Sequence, residues 1–210
     1  MTTAADGSES VPDTPDLSTM PHVPTRWSKA TDVPDMWLDS SDDPREESSS
    51  GTDERSVLVD YLRRYRLTLE LKCADLDPAQ LATRSVPPSS MSLLGLLRHL
   101  SDVERHWFRR QMAGQDAPPL YWSDHESDGD FDGAVGDPAV VEDAWQHWRD
   151  EVAFAEQFVA DSPDLGAVGK GSRVRDTPLR DILVHMIEEY ARHCGHADLL
   201  RERIDGRVGQ

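Results

Sequence analysis

The sequence predicts an all-α protein, a four-helix bundle, and three observations lead to that fold class. Four long segments carry apolar residues with the period of about 3.6 that is typical of an amphipathic helix. No segment of useful length shows the alternation that is typical of a strand. Each predicted helix has one apolar stripe, and four such helices bury their stripes by packing together. A change in composition near residue 52 separates an acidic tail, residues 1–52, from the predicted bundle, residues 53–210.

The tail differs from the rest of the chain in charge and in apolar content. Residues 1–52 contain 11 acidic and 3 basic residues, a net charge of −8, and six of the 14 prolines. Such a segment buries too little apolar surface to offset the entropy of the chain, so we expect it to be largely disordered. Trp27, Trp37 and Leu38 are exceptions, and their docking on the bundle as an extended strap is an open alternative.

Capping residues and helix breakers set the expected helix boundaries. Each helix follows a residue whose side chain can cap it, namely Thr52 or Asp53, Ser90, Asp137 and Thr177. Gly206 supplies the residue type that commonly ends a helix. We therefore expect helices at about residues 53–74, 91–112, 138–160 and 177–203, with a short helical turn at 78–81.

A long crossover loop joins the second and third predicted helices. Residues 115–137 are rich in Asp, Gly and Pro, and they include Tyr121, Trp122 and Phe131. Loops of this length in compact domains are usually functional or partly disordered. The clustered aromatic residues favour a loop that folds back over another part of the protein.

Charge and cysteine content limit the class of partner. The whole chain carries a net charge of −18, so −10 remains after the −8 of the tail is removed. A negative field of this kind repels phosphate, which makes nucleic acid and anionic membranes poor partners. The sequence contains no run of about 18 apolar residues. Its two cysteines, Cys73 and Cys194, suit a reducing compartment, so we expect a cytoplasmic protein.

The last helix and the second helix contain a candidate metal site. Glu189 and His193 are four residues apart and project side by side at the edge of an apolar face. A carboxylate against a packed apolar face needs compensation, and a metal ion can supply it. His99, flanked by Leu96 and Val103 on the second helix, is the candidate third ligand. Three protein ligands leave a position for water or substrate.

The residues alone leave other interpretations open. A Glu and a His four residues apart also occur in helices that bind no metal, and a half-buried histidine often forms hydrogen bonds to the backbone instead. Asp102 and His106 lie beside His99 on the same helix edge. They are candidates for orienting the ligands or relaying a proton, and solvated surface groups are the alternative.

Two long motifs resemble a known family. The segments MSLLGLLRHLSDVERHWF and LRDILVHMIEEYARHCGHADLLRERIDG closely resemble the DUF664 branch of the DinB/YfiT-like superfamily, which is similar to mycothiol-dependent maleylpyruvate isomerase. The resemblance runs from about Asp53 to the C-terminus and includes the loop segments 121–124 and 130–132. It implies a four-helix bundle, often dimeric, with His99, Glu189 and His193 as ligands of a divalent metal. Zinc is the first expectation, and nickel, iron and manganese suit the same ligand types.

The resemblance also implies a chemistry. Relatives include enzymes that use low-molecular-weight thiols of the mycothiol or bacillithiol type. We therefore expect a metal-dependent enzyme that activates such a thiol, or water, for attack on a small electrophile. Tyr121 and Trp122 are candidates for the pocket wall and Arg192 for a contact with a substrate carboxylate. The rival hypothesis is a non-catalytic, metal-stabilised bundle that binds a small molecule or a partner in a stress response.

Overall fold

A computed structural model of the protein describes residues 24–33, 35–47, 51–171 and 176–210. Within these ranges the regular secondary structure is helical, which confirms the predicted fold class, and three isolated β-bridges accompany it. The α-helices are α1 (Glu54–Cys73), α2 (Pro78–Leu81), α3 (Leu93–Glu104), α4 (Gly129–Asp132), α5 (Pro138–Asp161) and α6 (Leu179–Asp205). A short 3₁₀ helix covers Pro44–Glu46, and a π-helical segment, Arg105–Met112, continues α3.

The helix caps agree with the sequence at some helices and differ at two. The Asp53 side chain accepts a hydrogen bond from the backbone N–H of Ser56 at the start of α1, and Asp137 caps α5 in the same way. The cap of α3 is Ser92, two residues beyond the expected Ser90. At α6 the cap position is held by Pro178 and not by Thr177, without a side-chain hydrogen bond. α6 ends at Gly206, whose φ of 82° is in the left-handed region that glycine favours.

The direction of the four long helices explains the crossover loop. α1 and α6 run in the same direction, because Arg180 pairs with Glu54 at their N-terminal ends and Arg201 donates to the Lys72 carbonyl at their C-terminal ends. α3 with its π-helical continuation also runs parallel to α5, since Arg105 of that continuation contacts Glu151 and, further along both, the Phe108 ring packs near Phe158. Consecutive parallel helices cannot be joined by a tight turn. The predicted long loop between them is therefore a requirement of the topology.

A buried polar network holds α3 and α6 together in the core. Arg66 of α1 forms two hydrogen bonds of 2.8 Å to the Glu104 carboxylate. The Tyr190 hydroxyl donates to the same carboxylate at 2.9 Å and accepts a hydrogen bond from Trp148. Burial and the negative charge of Glu104 raise the pKa of Tyr190 well above its usual value, so its hydroxyl stays protonated.

The described part of the N-terminal segment packs on the bundle. Trp37 is 1% exposed, with the Lys72 ammonium 4.0 Å and the Arg207 guanidinium 3.8 Å from its ring centroid. Trp27 exchanges backbone hydrogen bonds with residues 206 and 208, and Leu38 is half-buried. The docking of these residues, left open by the sequence, is thus observed for residues 24–33 and 35–47. The expectation of disorder for residues 1–23 lies outside the described residues.

None of the helices in the described ranges is long and apolar enough to cross a membrane.

Candidate metal centre

The structure brings the three predicted ligand residues together. His99 projects from α3, and Glu189 and His193 project from α6; one ligand atom from each lies within 4.8 Å of the others. The ring centroids of the two histidines are 4.7 Å apart. All three side chains are half-buried, so they are reachable from solvent while backed by the core.

Glu189 occupies the middle of a row of histidines on α6. Its Oε2 is 3.5 Å from His193 Nε2, and its Oε1 is 3.4 Å from His185 Nε2. The hydrogen bond from His193 is the largest influence that lowers the pKa of Glu189; burial opposes it, and the charge of His185 adds to it. The carboxylate is therefore ionised near neutral pH, the form that binds a cation.

A fourth histidine lies behind His193. The Nδ1 atoms of His196 and His193 are 3.4 Å apart, so the Nε2 atom of His193 faces Glu189. Burial is the main cause that lowers the pKa of His196, and His193 and Arg192 lower it further.

His99 has a buried carboxylate partner that sequence reasoning did not identify. Its Nδ1 lies 2.8 Å from Oδ2 of Asp130, which belongs to α4 in the crossover loop. The Phe131 ring stacks on the His99 ring at a centroid distance of 5.5 Å and an angle of 25°. In the sequence, the segment 130–132 is part of the family resemblance and carries no separate indication of this role. Spacing along the chain gave no other sign of this contact, because 31 residues separate the two partners.

A cavity of about 340 Å³ opens beside His99. Its lining consists of His99, Asp102, Val103, His106, Trp107, Trp122, Ser127 and Asp130. These residues include two buried or half-buried carboxyl groups and two tryptophans, but no lysine or arginine. A separate groove of about 400 Å³, mainly apolar, lies between α1 and α5 and contains none of the predicted site residues.

Asp102 and His106 both line the cavity beside His99. The two oxygens of Asp102 accept hydrogen bonds from the backbone N–H groups of Leu120, at 2.6 Å, and Tyr121, at 3.0 Å. Burial raises the pKa of Asp102, although these two hydrogen bonds oppose the change. His106 lies on the π-helical segment, where its ring meets Trp107 edge-on at 5.1 Å.

The three residues predicted to contact the thiol or the substrate occupy different places. Trp122 lines the cavity. Tyr121 faces α5, where its hydroxyl lies 2.8 Å from His147 Nδ1, and the Arg98 guanidinium covers its ring at 3.9 Å. Arg192 is exposed on α6 and does not line the cavity. The structure therefore groups Trp122, but not the other two, with the candidate metal centre.

The fold and the candidate site together define a class of protein: a helical bundle in which two histidines and one carboxylate from two of its helices come together. The sequence model of the mycothiol-S-transferase family matches residues 57–206, and the chain belongs to this family. This confirms the resemblance to the DinB/YfiT-like superfamily. A conserved protein from Enterococcus faecalis has a similar crystal structure, with a TM-score of 0.50 and 16% sequence identity over 73% of this chain and 98% of that one. At that identity the likeness supports the fold alone. No curated protein matches the chain.

Proposed function

We propose that the protein is a metal-dependent thiol S-transferase that joins a low-molecular-weight thiol to a small, uncharged electrophile. The observation that carries this proposal is the convergence of His99, Glu189 and His193 from two helices within 4.8 Å, where His99 also lines a cavity. Membership of the mycothiol-S-transferase family supports the thiol, since that is the transfer for which the family is named.

The three donors fit a divalent cation. Two imidazoles and one carboxylate form a ligand set typical of open zinc sites, and iron, manganese and nickel accept the same donors. Donor atoms around a tetrahedral ion with bonds of about 2.0–2.1 Å lie about 3.4 Å apart. The Oε2 atom of Glu189 and the Nε2 atom of His193 are 3.5 Å apart, close to this spacing, and the ligand atoms of all three residues lie within 4.8 Å of one another. An ion held there supplies a Lewis acid that lowers the pKa of a thiol or a water.

The cavity wall selects the electrophile by charge and polarity. Trp107, Trp122 and Val103 give an apolar surface that suits an apolar or aromatic group. The described lining contains the carboxyl groups of Asp102 and Asp130 and no lysine or arginine. A metal ion at the centre can pair with one substrate carboxylate, but a second carboxylate would meet no lysine or arginine in this lining. We therefore favour transfer to a neutral electrophile over isomerisation of a dicarboxylate.

The other predicted site residues take different roles in this proposal. In the transfer, the thiol sulfur forms a bond to the electrophilic carbon, a leaving group departs with its electron pair, and the thiol proton must be removed. His106 faces the cavity and is placed to accept that proton. Asp102 is assigned to orientation, because both of its oxygens hold the loop backbone. Tyr121 and Arg192 lie outside the cavity, so we assign them contacts only with parts of a large thiol that extend beyond it.

The decisive experiment measures metal binding before activity. Purified full-length protein and the variants His193→Ala and Glu189→Ala are compared for metal content and for Zn²⁺ affinity by chelator competition. Each variant is expected to lose at least about tenfold in affinity, since ligand-shell changes have effects of that size. Glu188→Ala is the matched control, because Glu188 is adjacent on α6 and its side chain is 70% exposed. Equal metal affinity in Glu189→Ala and Glu188→Ala would remove the site assignment.

The metal-loaded protein is then assayed with mycothiol and two electrophiles of similar size. A neutral aryl halide is expected to be consumed, with a thioether as product, and an unsaturated dicarboxylate to react far more slowly. If the protein binds the metal but consumes neither electrophile, the result would favour a non-catalytic, metal-stabilised bundle. The identity of the metal as zinc, a homodimer and a cytoplasmic location stay predictions from the sequence.

A further inference from the structure

The crossover loop presses α4 onto α3 directly beside His99. Arg98 of α3 donates from Nε to the Asp130 carbonyl at 2.9 Å and from Nη2 to the Gly129 carbonyl at 3.0 Å. Arg84 adds a hydrogen bond of 2.8 Å to the exposed Asp132 side chain. Two backbone carbonyls of a four-residue helix are thus held by one buried guanidinium. This contact fixes the position of Asp130 relative to α3.

The Asp130 carboxylate is buried and aimed at the histidine. The residue is 5% exposed; its Oδ1 accepts a hydrogen bond from the Phe131 N–H at 2.9 Å, and its Oδ2 lies 2.8 Å from His99 Nδ1. A carboxylate only accepts hydrogen bonds, so the partner nitrogen must carry the proton. In a neutral imidazole the other nitrogen, Nε2, is then the one with a free lone pair.

Close packing holds the His99 ring in one orientation. Phe131 stacks on one face of the ring. A Cβ at position 95, one turn before His99, would come within 2.7 Å of Phe131 Cδ1. A Cβ at position 133 would lie 2.5 Å from Arg98 Nη2. Gly95 and Gly133 therefore leave the space that the aromatic ring and the guanidinium occupy.

We propose that Asp130 is a positioning residue that fixes the tautomer and the ring orientation of His99, and that Arg98 holds Asp130 in place for this task. The inference rests on the proposed metal centre, to which it adds a partner outside the ligand set. Histidines that bind metals generally donate their second ring N–H to a carboxylate or carbonyl, and loss of that partner commonly weakens metal binding by about 10–100-fold. Here the partner comes from the crossover loop, so the same loop walls the cavity and orients a ligand.

The test uses full-length protein, Zn²⁺ alone as the probe and two substitutions of Asp130. Asp130→Ala is expected to weaken Zn²⁺ binding by about 10–100-fold in chelator competition. Asp130→Asn is expected to cause a smaller loss, because an amide oxygen still accepts the Nδ1–H but carries no charge. Asp132→Asn is the matched control on the same short helix, with a side chain that is 67% exposed, and it should leave the affinity unchanged.

A second readout separates orientation of His99 from general support of the loop. In metal-free protein with ¹⁵N-labelled histidine, the His99 ring should be in the Nδ1–H form in the wild type and in Asp132→Asn. It should shift towards the Nε2–H form in Asp130→Ala. Thermal midpoints of the metal-free variants are measured in parallel; the isosteric Asp130→Asn keeps the test valid if the alanine variant is unstable.

The outcomes distinguish this inference from the proposed centre. If His99→Ala binds Zn²⁺ as well as the wild type does, the centre itself is wrong. If His99→Ala loses affinity while Asp130→Ala and Asp130→Asn retain it, the centre stands and the role of Asp130 is refuted. A wild-type His99 in the Nε2–H form would also refute it.

Discussion

Replacement of Glu104 by glutamine tests the polar network that fixes the two ligand-bearing helices. Glu104 is fully buried on α3, five residues after His99, and it accepts two hydrogen bonds from Arg66 and one from Tyr190. Tyr190 is adjacent to Glu189 on α6. Glu104→Gln preserves the shape of the side chain but removes its charge, which leaves the buried guanidinium of Arg66 without its close counter-ion.

The expected loss follows from burial. The side chains of Arg66 and Glu104 are 7% and 0% exposed, and removing one partner of a buried pair costs about 3–5 kcal/mol because the other charge is left uncompensated. Glu156 offers a control on the same arginine: it lies 3.5 Å from Arg66 Nη1, but its side chain is 57% exposed. Glu156→Gln should therefore cost about 0–1 kcal/mol, the range for solvent-exposed pairs.

Urea denaturation of metal-free protein measures this difference as the free energy of unfolding. The double variant Arg66→Met/Glu104→Gln removes both charges while the amide oxygen still accepts the hydrogen bond from Tyr190, and it should recover much of the stability lost in Glu104→Gln, since no buried charge is left uncompensated. Equal losses in Glu104→Gln and Glu156→Gln would show that the network is not a buried ionic one. A double variant less stable than Glu104→Gln would refute the assignment of the loss to an uncompensated charge.

Two further predictions concern the docked segment and the cysteines. Trp37→Ala should lower the free energy of unfolding, measured by urea titration, by about 3–5 kcal/mol, the usual cost of emptying a buried aromatic site. Trp27→Ala should lower it by about 1 kcal/mol, because the exposed Trp27 side chain loses one hydrogen bond. Similar small losses in both variants would mean that Trp37 does not anchor the segment. Burial is the main cause that raises the pKa of Cys73 and Cys194 to about 12. Neither thiol should therefore react with an aromatic disulfide at pH 8 until the protein is unfolded. Rapid reaction of Cys194 in the native protein would contradict its packed position.

The helices were predictable because their signals are local. The apolar period and the caps at Asp53 and Asp137 depend only on neighbouring residues, and the observed α1 and α5 begin where those residues indicate. The two misplaced caps arise where several capping residues or prolines stand close together. The π-helical segment after Glu104 was not predicted, because its wider hydrogen-bonding pattern does not visibly change the spacing of apolar residues in the sequence.

The candidate site was predictable to the extent that it lies on helix faces. The positions of Glu189 and His193 on one edge of α6 follow from a four-residue spacing, and the half-burial of His99 follows from its apolar neighbours. Asp130 could not be placed in the same way. Its contact with His99 depends on the path of a loop, and a loop sequence does not specify which of its several aspartates turns inward.

The topology nevertheless explains why the loop must reach this histidine. Because α3 and α5 are parallel, the chain has to run back along the whole length of α3 before α5 begins. As the loop runs forward, it contacts successively earlier residues of α3. Tyr121 contacts Asp102, Asp130 contacts His99, and Phe131 lies beside Gly95. In this protein the return path passes the edge of α3 that carries His99. The wall of the cavity and the carboxylate partner of His99 therefore come from one segment, so a substitution that shifts the path of this segment, unlike one at the exposed Asp132 side chain, is expected to alter substrate choice and metal affinity together.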